Sequence, residues 1–146
     1  MRAAEMRATG NQGGFTLIEL VVVITILGIL AAFAVPRFVA LDTQARTAAR
    51  DALMGSVRSG AALSHAMWLA SGQPASVLME GNTITMVNGY PNLASIGLTL
   101  SDLTGFTYTP ATGVFLKTGG AATCNFTYAQ AAGANLAPTI TPGGAC

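Results

Sequence analysis

The stretch "GFTLIELVVVITILGILAAFAVPRF", residues 14–38, decides how the rest of the chain is interpreted. Between Phe15 and Val35 the interruptions of its apolar character are few: Thr16, Glu19, Thr25 and Gly28. About 20 consecutive, mostly apolar residues are enough to cross the hydrocarbon core of a bilayer as a helix. We therefore expect a membrane-spanning helix here.

Charges next to this stretch predict its orientation. Arg2 and Arg7 precede it, and cytoplasmic segments beside a membrane span carry an excess of Lys and Arg. This rule places Met1 in the cytoplasm and everything after Val35 on the other side. The bulk of the chain is thus expected to be exported.

Composition excludes several functions. The 146 residues leave room for one modest domain beside the apolar stretch. Charged residues make up 9%, and 7 basic against 6 acidic side chains leave a net charge of +1, so no nucleic acid partner is implied directly. The carboxylates beyond the apolar stretch are scattered, and the single His65 has no nucleophile in a recognisable pattern. We predict neither an enzyme nor a metal or cofactor site.

The helical pattern continues beyond the apolar stretch. Apolar and small residues recur at spacings of three and four from Phe38 to Trp68, and Gly72 and Pro74 indicate an end near Leu69. The opposite face carries charges expected to be solvated, with a weak pair between the first two: Asp42, Arg46, Arg50, Asp51 and Arg58. His65, Met67 and Trp68 are interpreted as packing residues.

A cleaved secretory signal is the alternative for the apolar stretch. Ala32-Phe33-Ala34 has the small-x-small pattern of a cleavage site. A carboxylate at Glu19 disfavours this alternative, because it is unfavourable inside an inserting segment. The continuing helical pattern disfavours it as well.

After Pro74 the pattern becomes that of strands and turns. Short runs rich in β-branched and aromatic residues predict four strands: Thr83–Val87, Phe106–Thr109, Val114–Lys117 and Thr123–Tyr128. The segments "TPATGV" and "KTGGAA" indicate hairpin turns. One antiparallel sheet of about four strands is expected to pack on the helix through Leu53, Val57, Leu63 and Trp68, giving an α+β fold. Residues 129–146 are interpreted as loop.

The two cysteines, Cys124 and Cys146, predict one disulfide in an exported chain. A metal site would need more ligands than two cysteines and a distant histidine provide. Closing this loop would stabilise the fold by about 3 kcal/mol in the chain-entropy model.

Residues 14–38 also resemble the amino-terminal signature of type IV prepilins and the related pseudopilins. The resemblance rests on Gly14, on Phe15 after it, on Glu19 as the fifth residue from Phe15, and on Pro36. It implies cleavage between Gly14 and Phe15 by a prepilin peptidase and N-methylation of Phe15. The implied segments are a leader at residues 1–14, a membrane and filament-core helix at 15–36, its amphipathic continuation at 37–71, and a β-sheet head at 72–146.

Glu19 has a physical role under this resemblance. Cleavage creates an α-amino group on Phe15, and an unpaired charge among packed apolar helices costs far more than a paired one. The family implies that the carboxylate meets the amine of a neighbouring subunit and sets axial register, and Thr16 is grouped with it as an assembly residue. The alternative is a carboxylate that only reaches toward the membrane interface.

Gly28 and Pro36 mark the weakest part of the predicted helix, because each is unfavourable in a helix interior. The resemblance implies that this part loses helical hydrogen bonds in a filament. A simple kink is the alternative.

The leading hypothesis is therefore a structural pilus subunit that polymerises with itself and serves adhesion, with motility or DNA uptake as further family roles. The segments "VNGYPN" (87–92) and "CNFTYAQA" (124–131) look most like pilins of the mannose-sensitive haemagglutinin (MSHA) type. The family implies an inner-membrane stage, an extracellular fibre, an assembly ATPase with its platform protein, and an outer-membrane secretin. The alternative is a pseudopilin of a type II secretion system.

Overall fold

The computed structural model describes residues 14–146 of the chain. The predictions made for Arg2, Arg7 and most of the leader lie outside the described residues. The chain divides into two compact units, Met1–Val39 and Ala40–Cys146, of which the first is described from Gly14 onward.

Helix α1 runs from Leu17–Ala70, 54 residues in all, and includes Pro36. Its end agrees with the prediction, because Ser71 donates its backbone N–H to Met67 O and Gly72 then adopts a positive φ of 80°. Among the described residues, α1 is the one helix long and apolar enough to cross a membrane.

The second unit contains two antiparallel sheets. The first is three-stranded, with β1 at Ser76–Met79, β2 at Asn82–Val87 and β3 at Tyr90–Pro91. The second is four-stranded in sequence order, with β4 at Phe106–Thr109, β5 at Val114–Lys117, β6 at Asn125–Ala129 and β7 at Thr139–Pro142. A short 3-10 helix, Ile96–Thr99, lies between them in the chain.

Hairpin connections with glycine at positive φ join β4 to β5 and β5 to β6, as the glycines predicted. Gly113 closes the β4–β5 hairpin with a φ of 71°, and Gly119 has a φ of 72° between β5 and β6. Pairing of Thr109 with Val114 and of Val114 with Thr127 sets the register of three consecutive strands. The Gly113 backbone also packs against β6, where Tyr128 donates its N–H to Gly113 O at 2.8 Å.

Each sheet covers its own part of α1. The larger cluster combines Val57 and Ala61 of the helix with Ile96 and with the aromatic side chains Phe115, Phe126 and Tyr128. The smaller cluster joins Met67 and Trp68 of the helix to four side chains of the three-stranded sheet: Val77, Met79, Ile84 and Met86. The α+β prediction of a long helix packed on antiparallel strands is confirmed, and so is packing of Met67 and Trp68.

Several details of the prediction are wrong. The structure has two sheets where one was expected, and it adds β1, β3 and β7, of which β7 lies in the segment interpreted as loop. That strand forms because Thr127 and Tyr128 of β6 pair with residues of an otherwise irregular tail. Leu63 is exposed, so it does not join the core.

Candidate assembly site

The amino-terminal end of α1 is closed by a reciprocal pair of polar side chains. Glu19 Oε2 accepts hydrogen bonds from the backbone N–H and from the hydroxyl of Thr16, both at 2.8 Å. The backbone N–H of Glu19 points back to the Thr16 hydroxyl oxygen at 3.4 Å. This is a capping box, the T-x-x-E arrangement that satisfies N–H groups left without partners at a helix start.

This cap was not predicted from the sequence. Thr16 and Glu19 have the spacing of a capping box directly before an apolar run, so the signal was present in the printed sequence. The structure thus gives Glu19 a role within its own chain. Its second oxygen, Oε1, accepts no hydrogen bond from the described residues.

Gly14 and Phe15, the predicted cleavage and methylation residues, lie immediately before the helix. Both are exposed, Phe15 by 90% of its surface, and among the described residues no atom beyond the chain neighbours lies within 4 Å of the position that a Cβ on Gly14 would take.

An apolar surface follows this site along α1. Every large apolar side chain of the first unit's helix is between 45% and 80% exposed within the chain itself. Residues of this kind are found from Leu17 to Val39 without a break longer than a helical turn. Contiguous apolar surface on this scale indicates a membrane or other subunits as its surroundings.

Gly28 and Pro36 lie within the uninterrupted helix α1. Pro36 has no N–H to donate, so the carbonyl one turn earlier, on Ala32, loses its usual helical donor. Thr25 donates its hydroxyl to Val21 O at 2.7 Å, a bond of the kind that satisfies polar side chains in apolar surroundings. The predicted weakness of the helix between Gly28 and Pro36 stays a prediction.

The carboxy-terminal segment is fixed to the head by the predicted disulfide, which joins Cys124 to Cys146. Thr123 adds a hydrogen bond from its hydroxyl to Ala145 O at 2.7 Å. Two arginines of α1 reach the same region, since Arg46 donates to Gly119 O and Arg50 donates to Gly144 O, the latter at 2.8 Å.

Arg50 corrects the prediction of a solvated charged face. It is only 8% exposed, and its guanidinium bonds both Gly144 O and the Asp51 carboxylate, the latter at 3.0 Å. The helical pattern could not reveal this, because the partner carbonyl lies 94 residues away. The expected pair of Asp42 and Arg46 is present at 2.8 Å.

Three titratable groups of the head have pKa values shifted by their surroundings. Hydrogen bonds from Thr104 hold the pKa of the Asp102 carboxyl below its ordinary value of 3.8. Burial raises the pKa of Tyr108 to about 12 and raises that of Tyr128 as well. Their hydroxyls donate to Leu93 O and Pro91 O. Within residues 14–146 no three His, Cys, Asp or Glu side chains come together as metal ligands.

Together, the fold and the site define a class of protein: one with an exposed apolar helix that is capped at its start and long enough to cross a membrane, and with a disulfide-closed head. Residues 9–35 match the family model described as the prokaryotic N-terminal methylation motif. No solved structure is significantly similar to this chain.

Two proteins of known type are similar to this chain in sequence. The "Type IV narrow pilus major component PilA5" of Thermus thermophilus is 60% identical over 50 residues, which are 34% of this chain and 43% of the relative. The "Type IV major fimbrial protein FimA" of Dichelobacter nodosus is 36% identical over 104 residues, 64% of this chain and 62% of the relative. The match spans less than two thirds of either relative. The motif and both relatives make this chain similar to type IV pilins over the matched residues.

Proposed function

We propose that the chain is a structural subunit of a type IV pilus that polymerises with copies of itself through the first half of α1. The observation that carries this proposal is the exposed apolar helix that begins at the methylation motif. A pilus subunit fits both relatives, which are named as major pilus or fimbrial components, and a pseudopilin is not favoured. The function is mechanical and adhesive, without catalysis.

Processing and location follow from this function. A prepilin peptidase cleaves between Gly14 and Phe15, and Phe15 is then N-methylated. The subunit is anchored in the inner membrane before assembly and lies in an extracellular fibre afterwards, with an assembly ATPase, its platform protein and an outer-membrane secretin as partners. Exposure of Gly14 and Phe15 ahead of the helix supports the cleavage site.

Four segments of the chain have different roles in this proposal. Residues 1–14 are the leader, 15–36 form the membrane and filament-core helix, 37–71 continue the helix under the head, and 72–146 form the β-sheet head. Packing of α1 side chains into both clusters of the head begins only with Leu53, which supports a separate role for the preceding helix.

Glu19 pairs with the amine of Phe15 on a neighbouring subunit. Thr16 occupies one carboxylate oxygen, Oε2, and so orients the group, while Oε1 accepts no hydrogen bond from the described residues. Among apolar helices, a paired and hydrogen-bonded charge costs far less free energy than an unpaired one. The subunits are therefore most stable in the one axial register that brings the carboxylate and the amine together. In this proposal Thr16 and Glu19 act together as cap and assembly residues.

Gly28 and Pro36 give the fibre its extensibility. The missing N–H at Pro36 and the weak propensity at Gly28 lower the cost of losing helical hydrogen bonds between them. Neighbouring subunits in the filament would then satisfy the released backbone groups.

Within the family we propose the MSHA-type subgroup. Two features support it: "VNGYPN" forms the tight β2–β3 connection, with positive φ at Asn88 and Gly89, and "CNFTYAQA" contains β6 with the disulfide-bonded Cys124. The disulfide-closed tail, exposed at most of its positions, is the proposed adhesive surface.

Two substitutions at one position test the assembly role. Glu19→Gln keeps a side chain that can complete the capping box but removes the charge, whereas Glu19→Ala removes both. We expect normal cleavage after Gly14 in both variants and loss of surface fibres in both, counted by electron microscopy of sheared material. Mass spectrometry of the mature chain reports cleavage and the methyl group on Phe15.

The outcomes separate the possible roles of Glu19. Normal fibres from Glu19→Gln with none from Glu19→Ala would mean that the cap matters and the charge does not. A mature chain that begins at Val35 would disprove the pilus subunit itself, because the apolar helix would be absent from the exported protein. An absence of fibres in cells with the unaltered chain would have the same force.

A further inference from the structure

A groove of about 710 Å³ opens on the head between α1 and the segment that follows the 3-10 helix. Its apolar walls include Leu63 and Leu98, which are 55% and 48% exposed. On the α1 side the lining is mostly of small residues, among them Gly55, Ser56 and Ser59, so bulky groups from outside have room to enter.

The groove is preformed. A Cβ on Gly60 would lie only 2.5 Å from Thr99 Oγ1, so glycine is what allows the 3-10 helix to lie this close to α1. Thr99 is fixed in turn by a hydrogen bond from its hydroxyl to Ile96 O at 2.8 Å, and Ile96 is fully buried. The wall that carries Leu98 is therefore anchored in the core.

The charged residues that line the groove are all acidic. Glu80 and Asp102 line it, and no Lys, Arg or His is among its lining residues. Within residues 14–146 neither carboxylate takes part in an ion pair, since the pairs found there join Arg46 to Asp42 and Arg50 to Asp51. An occupant that is apolar and carries a cation would complement this groove.

The chain itself contains a segment with that character. Residues 33–39, "FAVPRFV", expose Phe33 by 75% and Phe38 by 70%, and Arg37 between them takes part in no ion pair within residues 14–146. Other cations fit less well. Three of them already bond backbone carbonyls of the head: Arg46, Arg50 and Lys117. Arg58 is not flanked by large exposed apolar residues.

We propose that the groove of one subunit receives residues 33–39 of a second copy in the filament, with Arg37 facing the carboxylates of Asp102 and Glu80. This contact rests on the proposed function. The groove and the segment are different surfaces, so the contact is heterologous and repeats from copy to copy without closing. It adds a second, lateral determinant of register to the one proposed at Glu19.

A charge exchange tests this contact in cells that assemble the full chain. Arg37→Glu places a third carboxylate against the groove, and Asp102→Arg places a cation against Arg37. We expect each single variant to reduce sheared fibre mass by about tenfold or more, because like charges juxtaposed at an interface cost several kcal/mol. The double variant restores opposite charges and should recover most of the fibres.

Cross-linking provides a measurement that does not depend on the charge variants. Both native cysteines are bonded to each other, so introduced cysteines supply the free thiols. Fibres of a Phe38→Cys, Leu98→Cys chain should give a ladder of multimers on a non-reducing gel after mild oxidation. The matched control pairs Phe38→Cys with Leu136→Cys, which is 55% exposed but outside the groove, and should remain monomeric.

These results distinguish failure of the contact from failure of the pilus assignment. Normal fibres from Arg37→Glu and equal ladders in both cysteine chains would overturn the contact and leave the pilus subunit intact. Loss of fibres in the single charge variants without recovery in the double variant, together with no ladder from the Leu98 chain, would also overturn it. Absence of fibres from the unaltered chain would instead disprove the proposed function, and with it the contact that rests on it.

Discussion

The two units of the chain use apolar residues in opposite ways. In the helix of residues 17–39 the large apolar side chains are exposed, whereas in the head Phe115, Phe126 and Tyr128 have no exposed surface. The head buries these apolar groups within its own fold, while the described part of the chain leaves the large apolar side chains of residues 17–39 exposed.

This difference teaches where the stability of each region arises. Burial of apolar area stabilises the head in the single subunit, at about 25 cal/mol per Å². Under the proposed function, lipid and then neighbouring copies stabilise the first half of α1 in the same way. Substitutions in the head should therefore change the free energy of unfolding of the monomer, and substitutions in the first half should change assembly.

The largest expected effect comes from one substitution made in both regions. Phe126→Ala should destabilise the head by about 3–5 kcal/mol, because it removes a fully buried ring stacked on Phe115 at 4.7 Å. Phe33→Ala removes a ring that is 75% exposed and should leave that free energy unchanged within about 0.5 kcal/mol. Denaturant unfolding of the full chain in detergent micelles, followed by near-UV circular dichroism, measures both.

Relative to the stability each variant loses, Phe33→Ala should lower the fibre count more than Phe126→Ala does. Phe33→Ala is expected to reduce assembly although its monomer is intact. Equal losses of monomer stability from the two substitutions would contradict the comparison, since the first unit would then have a core of its own.

Removal of the disulfide is the next largest effect. The Cys124→Ala, Cys146→Ala double variant should lower the free energy of unfolding of the head by about 3 kcal/mol, since the crosslink closes a loop between residues 22 apart. The same denaturant measurement checks this value, with the reduced unaltered protein as the matched control. A double variant as stable as the oxidised protein would show that the hydrogen bonds of the tail suffice.

Much of this fold could be predicted from local pattern. The limits of β4 and β5 agree with the prediction because β-branched and aromatic residues stand between clear turn signals at Gly105 and Gly113. Strand β7 could not be predicted, because the segment Thr139–Pro142 carries two threonines and a proline and becomes a strand only through pairing with β6.

The candidate site shows the same limit. Motif spacing indicated Gly14, Phe15 and Glu19, and it also contained the capping box that the sequence analysis overlooked. Burial of Arg50 depends on Gly144, which is distant in sequence, so periodicity assigned it to the solvated face. Local signals thus predict local contacts, while side chains that join distant segments need the structure.

Two arginines of α1 give a smaller effect that sharpens the comparison within the head. Arg50→Met keeps an unbranched apolar stem but removes the part-buried hydrogen bond from the charged guanidinium to Gly144 O, at a cost of about 1–3 kcal/mol. Arg46→Met breaks a more exposed pair with Asp42 together with the bond to Gly119 O, and should cost less, about 1 kcal/mol. Thermal unfolding of the two variants in parallel measures the difference. Equal shifts in Tm would show that burial of Arg50 adds nothing.

The smallest expected effect is a pH dependence at Asp102. Its pKa is held below the ordinary value of 3.8 by the hydroxyl and backbone N–H of Thr104, so the ionised form is favoured in the folded head. A depressed folded pKa contributes stability above pH 3.8 that is lost as pH falls below this value. Asp102→Asn should therefore flatten part of the acid limb of the stability curve in denaturant titrations. Thr104→Val should flatten it less, because the backbone donor to Asp102 remains. An acid limb of unchanged slope in Asp102→Asn would show that this turn contributes nothing to folding.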